Sequence, residues 1–565
     1  MLKKRNFLPE NFVVQEWATI EPFYKNLLER NINTVHDLRA WFRDRSELES
    51  MLSEDMAWRY IKMTCNTADE NLQKSFNDFV SNIQPSAIHY NHQLNEKCLA
   101  NPFLQELEKE SDFRITIRGL RKQAEIFREE NIPLQTELQI KEREYGAIAG
   151  AMMIDWKGEE LTLQQAGNIL EDKDRKNREE AYFAIQNRRY QDKDKLDNLL
   201  SELIKLRHQV ALNAGFKNYR DYAFAALGRF DYSPEDCFKF HEAVSQKVMP
   251  LVEKLAEERK QLMKLDSLKP WDMQADPTGL PALKVFDNSE ELIQETIACF
   301  DDLDGFLGDC LRTMKKMKHL DLDSRKNKAP GGYNYPLAET GYPFIFMNAT
   351  SNLRDLTTLL HEGGHAVHSV LCKDMEINTF KEPPAEVAEL ASMSMELITL
   401  PFWKHFFEKS EDLQRAKKEH LEDLLAVLPW IACIDKFQHW MYENPEHSVS
   451  ERQEAWVRIY SDFSPKSVDW SGVEHFKAYH WQKQLHLYEV PFYYIEYGFA
   501  QLGAIAVWKN CQKDLKLGLK GYLDALSLGY TKTIPEVYQA AGIQFDFSPA
   551  YIEELMQFVK SQIDA

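Results

Sequence analysis

Apolar residues recur at spacings of three and four along most of the chain, with charged and amide side chains between them. The segments from Leu196 to Val210 and from Leu413 to Leu428 show this spacing clearly. It places the apolar side chains on one face of an α-helix. The sequence therefore predicts a mainly α fold.

A first departure from the helical period lies between about Leu138 and Leu163, where the pattern shortens toward alternation. The run from Asp155 to Glu159 has the composition of a tight turn between two apolar arms. We predict a small β-hairpin at about residues 138–163.

A second departure lies around the apolar run from Phe344 to Met347, which follows Gly341 and Pro343. Glycine and proline disfavour a helix there, and the adjoining proline favours an edge strand. Because an edge strand offers backbone N–H and C=O groups to an extended peptide, we predict that this strand binds substrate. Its contact residues would be Phe344, Ile345 and Phe346.

The length of 565 residues exceeds what one hydrophobic core normally serves, so we expect at least two lobes. We predict an N-terminal helical lobe over residues 1–200, which includes the hairpin, and a catalytic helical lobe over residues 201–565. Interleaving of the two lobes stays open. A hydrophobic content of 44% with 28% charged residues is typical of a soluble globular protein.

Charge and composition then exclude several classes of function. The formal net charge of −20 argues against a nucleic-acid partner. Glu10 and Glu16 interrupt the region where an export signal would need apolar residues, and Glu496 interrupts the apolar stretch over 490–508. The eight cysteines form no Cys-x-x-Cys pair, which disfavours thiolate zinc ligation. We expect a cytoplasmic protein without membrane partners and predict no particular oligomeric state.

The run His361-Glu362-Gly363-Gly364-His365 carries the strongest chemical signal. Ser351 and Asn352 are both good N-caps for the apolar stripe that follows them, so the motif is predicted to lie on a helix. Histidines four residues apart share one helix face and can bind a single Zn²⁺, with Glu362 as general base. A chance His-Glu-x-x-His is expected in only ~4% of chains of this composition.

Two glycines inside a helix cost stability, so they suggest the close approach of another backbone. We expect that Gly363 and Gly364, which have no side chains, let a strand or a substrate pack close to the helix.

A catalytic zinc ion needs a third protein ligand and one open position. After Pro383 and Pro384 a second helix is predicted, on which Glu389 and Glu396 share a face. One carboxylate would bind the metal and another would hydrogen-bond a ligating histidine. Glu386 lies on the same face and stays open as the rival ligand.

These features together resemble the M3 family of zinc oligopeptidases, in particular its oligoendopeptidase F and Pz-peptidase branch. The resemblance covers residues from about 200 to 510. Besides the motif at 361–365, it rests on segments 214–222, 229–232, 330–333, 341–346, 385–392 and 486–494.

The resemblance implies roles for individual residues. It makes Glu389 the third ligand and Glu396 its supporting carboxylate. It also implies that His486, with Tyr494 and Tyr497, stabilises the tetrahedral intermediate.

Tyr488 and Tyr493 compete for the same tyrosine positions. The glycine-rich segment adds Gly331, Gly332 and Tyr333 to the predicted substrate contacts. The implied fold is two helical lobes around a deep substrate channel, with the β element near the active site.

The predicted function is that of a zinc-dependent oligoendopeptidase, with one Zn²⁺ per chain and short unstructured peptides as substrates. A zinc carboxypeptidase or dipeptidyl carboxypeptidase on a related helical fold is the enzymatic alternative. An alternative of another class is a non-catalytic peptide-binding protein stabilised by zinc, which would require a closed fourth ligand.

Overall fold

The computed structural model describes residues 4–325, 327–329 and 331–564, so Pro330 of the glycine-rich segment lies outside the described residues. The chain folds as two compact units, each built from three segments. The first unit contains the residues up to 127, 284–413 and 503–545. The second unit contains residues 128–283, 414–502 and those from 546 onward.

Helices account for 69% of the protein, which confirms the prediction of a mainly α fold. No helix in the described part of the chain is long and apolar enough to cross a membrane. The α-helices are α1 Trp17–Glu29, α2 Val35–Cys65, α3 Glu70–Asp78, α4 Gln84–Leu99, α5 Leu104–Leu107, α6 Ser111–Ile126, α7 Asn131–Gly150, α8 Leu163–Gly167, α9 Arg175–Gln191, α10 Lys193–Asn213, α11 Tyr219–Ala226, α12 Pro234–Ala243, α13 Met249–Leu262, α14 Ser289–Leu303, α15 Gly305–Met317, α16 Leu353–Cys372, α17 Ala385–Ile398, α18 Ser410–Glu443, α19 Val449–Asp462, α20 Glu474–Lys477, α21 His486–Glu489, α22 Ile495–Lys513, α23 Leu515–Leu526, α24 Ile534–Ala540 and α25 Pro549–Ile563.

The two units interleave along the chain. The boundary predicted at residue 200 falls inside α10, within the second unit. The His-Glu-x-x-His helix α16 belongs to the same unit as the N-terminal helices α1–α6.

The predicted hairpin is present but shorter than expected. Strands β1 (Met153–Trp156) and β2 (Glu159–Thr162) pair antiparallel. Lys157 and Gly158 between them have φ values of 56° and 90°, as a type I′ turn requires. Residues 138–150 were wrongly assigned to this element, because they form the end of α7.

A three-stranded sheet in the first unit corrects the prediction for residues 344–347. Strand β5 (Phe344–Ala349) lies between β3 (Leu320–Asp323), which is parallel to it, and β4 (Tyr333–Tyr335), which is antiparallel. The prediction of an edge strand is therefore wrong. Pro343 precedes the first residue of β5, so its missing N–H interrupts no ladder hydrogen bond.

The side chains of β5 pack into the first unit's interior. Phe344 and Phe346 contact a cluster that includes Ala57 and Ile61 of α2. The ring of Tyr333 stacks on Phe346, with 4.7 Å between centroids. The sheet is thereby fixed to α2, with β4 at one of its edges.

Candidate metal centre and active site

Helix α16 begins where the sequence indicates. The side chain of Asn352 accepts a hydrogen bond from the backbone N–H of Asp355 (2.9 Å), and the Asp355 carboxylate accepts one from the Asn352 N–H (3.2 Å). This capping box satisfies backbone donors of the first turn. The buried apolar stripe that follows fixes which face of the helix is turned inward, and His361 and His365 are only partly buried.

The two glycines of the motif allow close packing, but against other helices and not against a strand or substrate. A Cβ atom on Gly364 would lie 2.6 Å from the carbonyl oxygen of Ala391 and from the Cα of Ser392, both in α17. A Cβ atom on Gly363 would lie 2.7 Å from the ring of Phe300 in α14. Gly364 therefore sets the distance between the helix carrying the histidines and the helix carrying Glu389.

This contact brings His361, His365 and Glu389 together. Their ligand atoms all lie within 4.8 Å of one another. Oε2 of Glu389 lies 3.2 Å from Nε2 of His361 and 3.6 Å from Nε2 of His365. The hydroxyl of Ser392 donates to the same Oε2 at 3.0 Å and holds the carboxylate in place.

These residues fit a metal ion by both chemistry and spacing. Two imidazole nitrogens and a carboxylate oxygen are common zinc ligands, with bond lengths near 2.0–2.2 Å, which puts neighbouring donors of a tetrahedral site about 3.3 Å apart. The observed separations of 3.2 Å and 3.6 Å are close to that value.

Glu396 orients one of the histidines. Nδ1 of His361 donates to Oε1 of Glu396 at 2.7 Å. Because Nδ1 is engaged by Glu396, Nε2 is the nitrogen that faces Glu389 and would bind a cation once it has lost its proton. Glu396 thus lies where the sequence analysis expects the supporting carboxylate.

The electrostatics of the group also favour a cation. Burial opposes charge on His361, yet hydrogen bonds to Glu389 and Glu396 outweigh burial and raise the pKa of His361. Burial lowers the pKa of His365 to about 4. For Glu389, burial is outweighed by His365 and His361, which lower its pKa to about 2. A negative carboxylate beside a neutral imidazole is the state that binds a metal ion.

Glu362 points away from bulk water. It is 8% exposed, and burial is the main cause that raises its pKa to about 7. Its backbone carbonyl accepts a hydrogen bond from Nδ2 of Asn334 in β4, at 3.1 Å. Such a carboxylate can both accept and return a proton near neutral pH.

Two other residues near the motif, the rival Glu386 and the neighbouring His368, lie outside the group. Among the described residues, the cluster of potential ligands in this part of the chain contains Glu389 and not the rival Glu386. His368 is buried, and burial lowers its pKa to about 3. Neither side chain joins the three that share a possible metal position.

The accessible edge of the sheet is β4. The N–H of Ile345 donates to the carbonyl of His319, so the polar groups of Ile345 face the β3 side. The backbone N–H and C=O groups of Phe344 and Phe346 then point toward β4. Because these directions alternate along an antiparallel pair, the N–H and C=O of Asn334 point away from β5. The glycine-rich residues Gly331 and Gly332 lead into this edge and are exposed.

Among the predicted substrate contacts, Phe344, Ile345 and Phe346 need correction. β5 has a partner strand on both sides, and the three side chains are 5%, 0% and 0% exposed. Their backbone groups are therefore not available to a peptide. Asn334 and Ser392 were not predicted from the sequence, although the polar Asn334 between two tyrosines was a usable signal.

In the second unit, His486 lies among three half-buried tyrosines. Its ring centroid is 4.8 Å from that of Tyr494, 5.8 Å from Tyr497 and 6.1 Å from Tyr493. The hydroxyl of Tyr497 is 3.5 Å from Nε2 of His486. Tyr488, by contrast, is fully buried and stacks on Tyr145, which removes it from this cluster.

An unusual turn precedes the tyrosines. Phe492 has a φ value of 68°, in the left-handed region that non-glycine residues rarely adopt. Its N–H donates to Oε1 of Gln438 (2.6 Å), and its carbonyl accepts from Arg229, which also pairs with Glu496 (2.7 Å). These buried partners hold the backbone that presents the tyrosine hydroxyls.

A His-Glu-x-x-His helix packed against a second helix that supplies a glutamate defines a metallopeptidase site. Comparison with known proteins agrees with this class. The profile of peptidase family M3 matches residues 168–294 and 306–557, and that of the peptidase M3 N-terminal domain matches residues 7–127.

Individual relatives and structures are similar to this chain. Oligopeptidase PepF of Bacillus subtilis (strain 168) is 23% identical over 73% of this chain and 60% of its own length. The chromosomal oligoendopeptidase F of Lactococcus lactis subsp. cremoris is 21% identical over 72% of this chain and 66% of its own length. The alignments thus span less than two thirds of either relative.

The structure of Pz peptidase A with an inhibitor superposes with a TM-score of 0.92 at 27% identity, covering 98% of each chain. The chain therefore belongs to peptidase family M3. Membership of this family of metallopeptidases implies a metal cofactor.

Proposed function

We propose that the protein is a zinc-dependent endopeptidase that cleaves internal bonds of short, unstructured peptides. The observation that carries this proposal is the convergence of His361, His365 and Glu389 within 4.8 Å, beside a buried Glu362. Family membership and the named oligopeptidase relatives support the substrate class. The absence of any disulfide among the eight cysteines supports a reducing compartment such as the cytoplasm.

The metal would be held by His361, His365 and Glu389, with Glu396 keeping His361 in its orientation. We assign Zn²⁺, one ion at this site, because two imidazoles and one carboxylate are the ligand set of many catalytic zinc centres. When bound, zinc polarises the scissile carbonyl and lowers the pKa of water.

Glu362 would be the general base and later the general acid. It takes a proton from the attacking water and delivers it to the leaving amine nitrogen. Its burial, which raises its pKa to about 7, matches both transfers near neutral pH. The hydrogen bond from Asn334 to its backbone carbonyl fixes β4 beside this residue.

An extended peptide would bind along β4. The outward-facing N–H and C=O of Asn334 offer a main-chain pair that is independent of substrate side chains. Gly331 and Gly332 would let the substrate backbone approach closely. In this proposal β4 replaces β5 as the substrate-binding strand.

His486, Tyr494 and Tyr497 would donate hydrogen bonds to the developing oxyanion. Imidazole N–H and phenol O–H groups are suitable donors, and removal of one such donor often costs about 10²–10³ in kcat. The hydrogen bond from Gln484 to Nδ1 of His486 (2.6 Å) supports a fixed orientation of this ring.

The test is digestion of a peptide mixture, with matched peptides blocked at both ends, read by mass spectrometry with and without chelator. Internal cleavage of blocked peptides that chelator abolishes and zinc restores is the expected result. Cleavage only of peptides with an unblocked carboxyl terminus would instead support the carboxypeptidase alternative. Zinc binding without any cleavage would support the non-catalytic alternative.

The ligand assignment has its own test with a matched pair of variants. Glu389→Ala should lose the zinc ion of this site and all hydrolysis. Glu386→Ala removes a similarly buried glutamate of the same helix and should keep both. The opposite outcome would move the third ligand to Glu386.

A further inference from the structure

A second group of potential metal ligands lies in the second unit. Cys237 and His241 are four residues apart on α12, and Asp435 and His439 are four residues apart on α18. Ligand atoms of Cys237, Asp435 and His439 all lie within 4.8 Å of one another. Each helix thus turns two side chains of ligating type toward the same point.

The fourth side chain joins the group through the carboxylate. Nε2 of His241 lies 2.8 Å from Oδ2 of Asp435, and Nε2 of His439 lies 3.3 Å from the same oxygen. Donor atoms around a tetrahedral zinc ion lie about 3.3 Å apart for nitrogen and oxygen, and slightly further for sulfur. His241 is not one of the three residues whose ligand atoms all lie within 4.8 Å of one another, so its side chain would have to rotate from Asp435 toward the ion to become the fourth ligand.

Several polar atoms of this group lack hydrogen bonds. Asp435 is fully buried and His439 is 2% exposed. Oδ1 of Asp435 and Nδ1 of His439 have no hydrogen-bond partner in the described part of the chain, and Nε2 of His439 approaches Oδ2 of Asp435 without the geometry of a hydrogen bond. Buried polar atoms of native proteins are nearly always satisfied, so this set calls for a ligand.

The surroundings make a positive charge necessary. Within the described residues, His241 and His439 are the only cationic-type side chains within ion-pair distance of Asp435. The ring of His439 lies against Phe238 (4.8 Å) and Phe492 (5.3 Å). A buried carboxylate among aromatic rings is costly unless its charge is compensated.

We infer that Cys237, His241, Asp435 and His439 form a second, structural Zn²⁺ site. One thiolate, one carboxylate and two neutral imidazoles around a divalent cation give a group without net charge, which suits an apolar environment. Four protein ligands leave no open position, the arrangement of structural zinc sites. The ion would join α12 to α18 within the second unit.

The sequence alone disfavours thiolate ligation and predicts one zinc ion per chain. The two ligand pairs come from distant segments, and neither Cys-x-x-x-His nor Asp-x-x-x-His signals a zinc site alone. Only the packing of α12 against α18 brings them together.

The experiment measures zinc per chain by plasma mass spectrometry after zinc loading and desalting. Wild type should hold two ions, and Glu389→Ala and Cys237→Ala one each. Cys433→Ala is the matched control, because it removes another fully buried cysteine, which lies on α18, and it should keep both ions. A Cys237→Ala variant with the metal content of wild type would overturn the inference.

Cobalt substitution provides a readout that does not depend on how variants fold. Wild-type protein loaded with Co²⁺ should show a thiolate-to-cobalt charge-transfer band in the near ultraviolet. Absence of this band from wild type would mean that the four residues form only a protonated imidazole–carboxylate network. Because the readout is metal content and absorbance, this result is separate from any failure of peptide hydrolysis.

Discussion

Replacing Gly364 with alanine should separate the two helices that hold the metal ligands. The added Cβ would lie 2.6 Å from Ala391 O and Ser392 Cα, whereas ordinary contact begins at 3.4 Å. Backbone atoms cannot rotate away, so α16 and α17 must move apart by about 0.8 Å, or deform, to restore ordinary contact. Metal sites tolerate distance errors of only about 0.2 Å.

The expected magnitudes follow from opposing effects. Alanine gains roughly 1 kcal/mol of helix propensity over glycine, while overpacking costs about 1–3 kcal/mol. The metal-free variant should therefore lose up to about 2 kcal/mol of stability. Zinc affinity should fall by about 10–100-fold, because His365 and Glu389 stand on the two displaced helices.

The assay combines thermal unfolding of the chelated protein with zinc titration against a competing chelator. Gly119→Ala is the control for helix propensity, since within the described residues nothing outside the backbone of its own helix lies within 4 Å of its Cβ position in α6. Gly363→Ala is the control for crowding, since its Cβ meets the side chain of Phe300 and not a backbone. Wild-type zinc affinity at the Glu389 site in Gly364→Ala would refute the reasoning.

Three further predictions concern orientation, the oxyanion and pH. Glu396→Gln should weaken zinc binding about 10–100-fold, because His361 loses its carboxylate partner. Excess zinc should restore hydrolysis, and full activity at limiting zinc would contradict this role. Tyr497→Phe should lower kcat by about 10²–10³ with zinc content unchanged, whereas Tyr488→Phe, in the buried core, should leave kcat near wild type. Burial raises the pKa of Asp272, but hydrogen bonds from Arg175 and the Lys269 backbone outweigh it and hold this pKa below its usual value. The stabilisation that comes from this lowered pKa is present at pH values above ~3.9, the pKa of an aspartate in the unfolded chain. It is lost as the pH falls below that value. Asp272→Asn should thus be destabilised by roughly 3 kcal/mol at pH 7, with the difference from wild type shrinking in acid, as urea unfolding can measure.

Features set by local sequence were predictable. The N-cap at Ser351 or Asn352, the helix through His361 and His365, and the turn at Lys157 and Gly158 depend on neighbours a few residues away. The glycines of the motif correctly indicated close packing. Which element would pack there was not readable, because α14 and α17 approach from elsewhere in the chain.

Features set by distant pairing were not predictable in the same way. The edge prediction for Phe344–Met347 failed because β3 and β4 flank it, and neither short strand has a strong pattern of its own. The spacing of the glutamates along the helix did not distinguish Glu386 from Glu389 as the third metal ligand. Only the packing of the two helices distinguishes them geometrically. The approach of Cys237 to His439 likewise depends on two helices far apart in sequence.

The central claim is that Glu362 moves the proton at a site where His361, His365 and Glu389 hold zinc. Glu362→Gln tests it most directly, because glutamine keeps the shape of the side chain but cannot accept the proton. Zinc content should equal that of wild type, and hydrolysis of end-blocked peptides should fall by at least about 10²-fold. Wild-type turnover in this variant with its zinc in place would contradict the account.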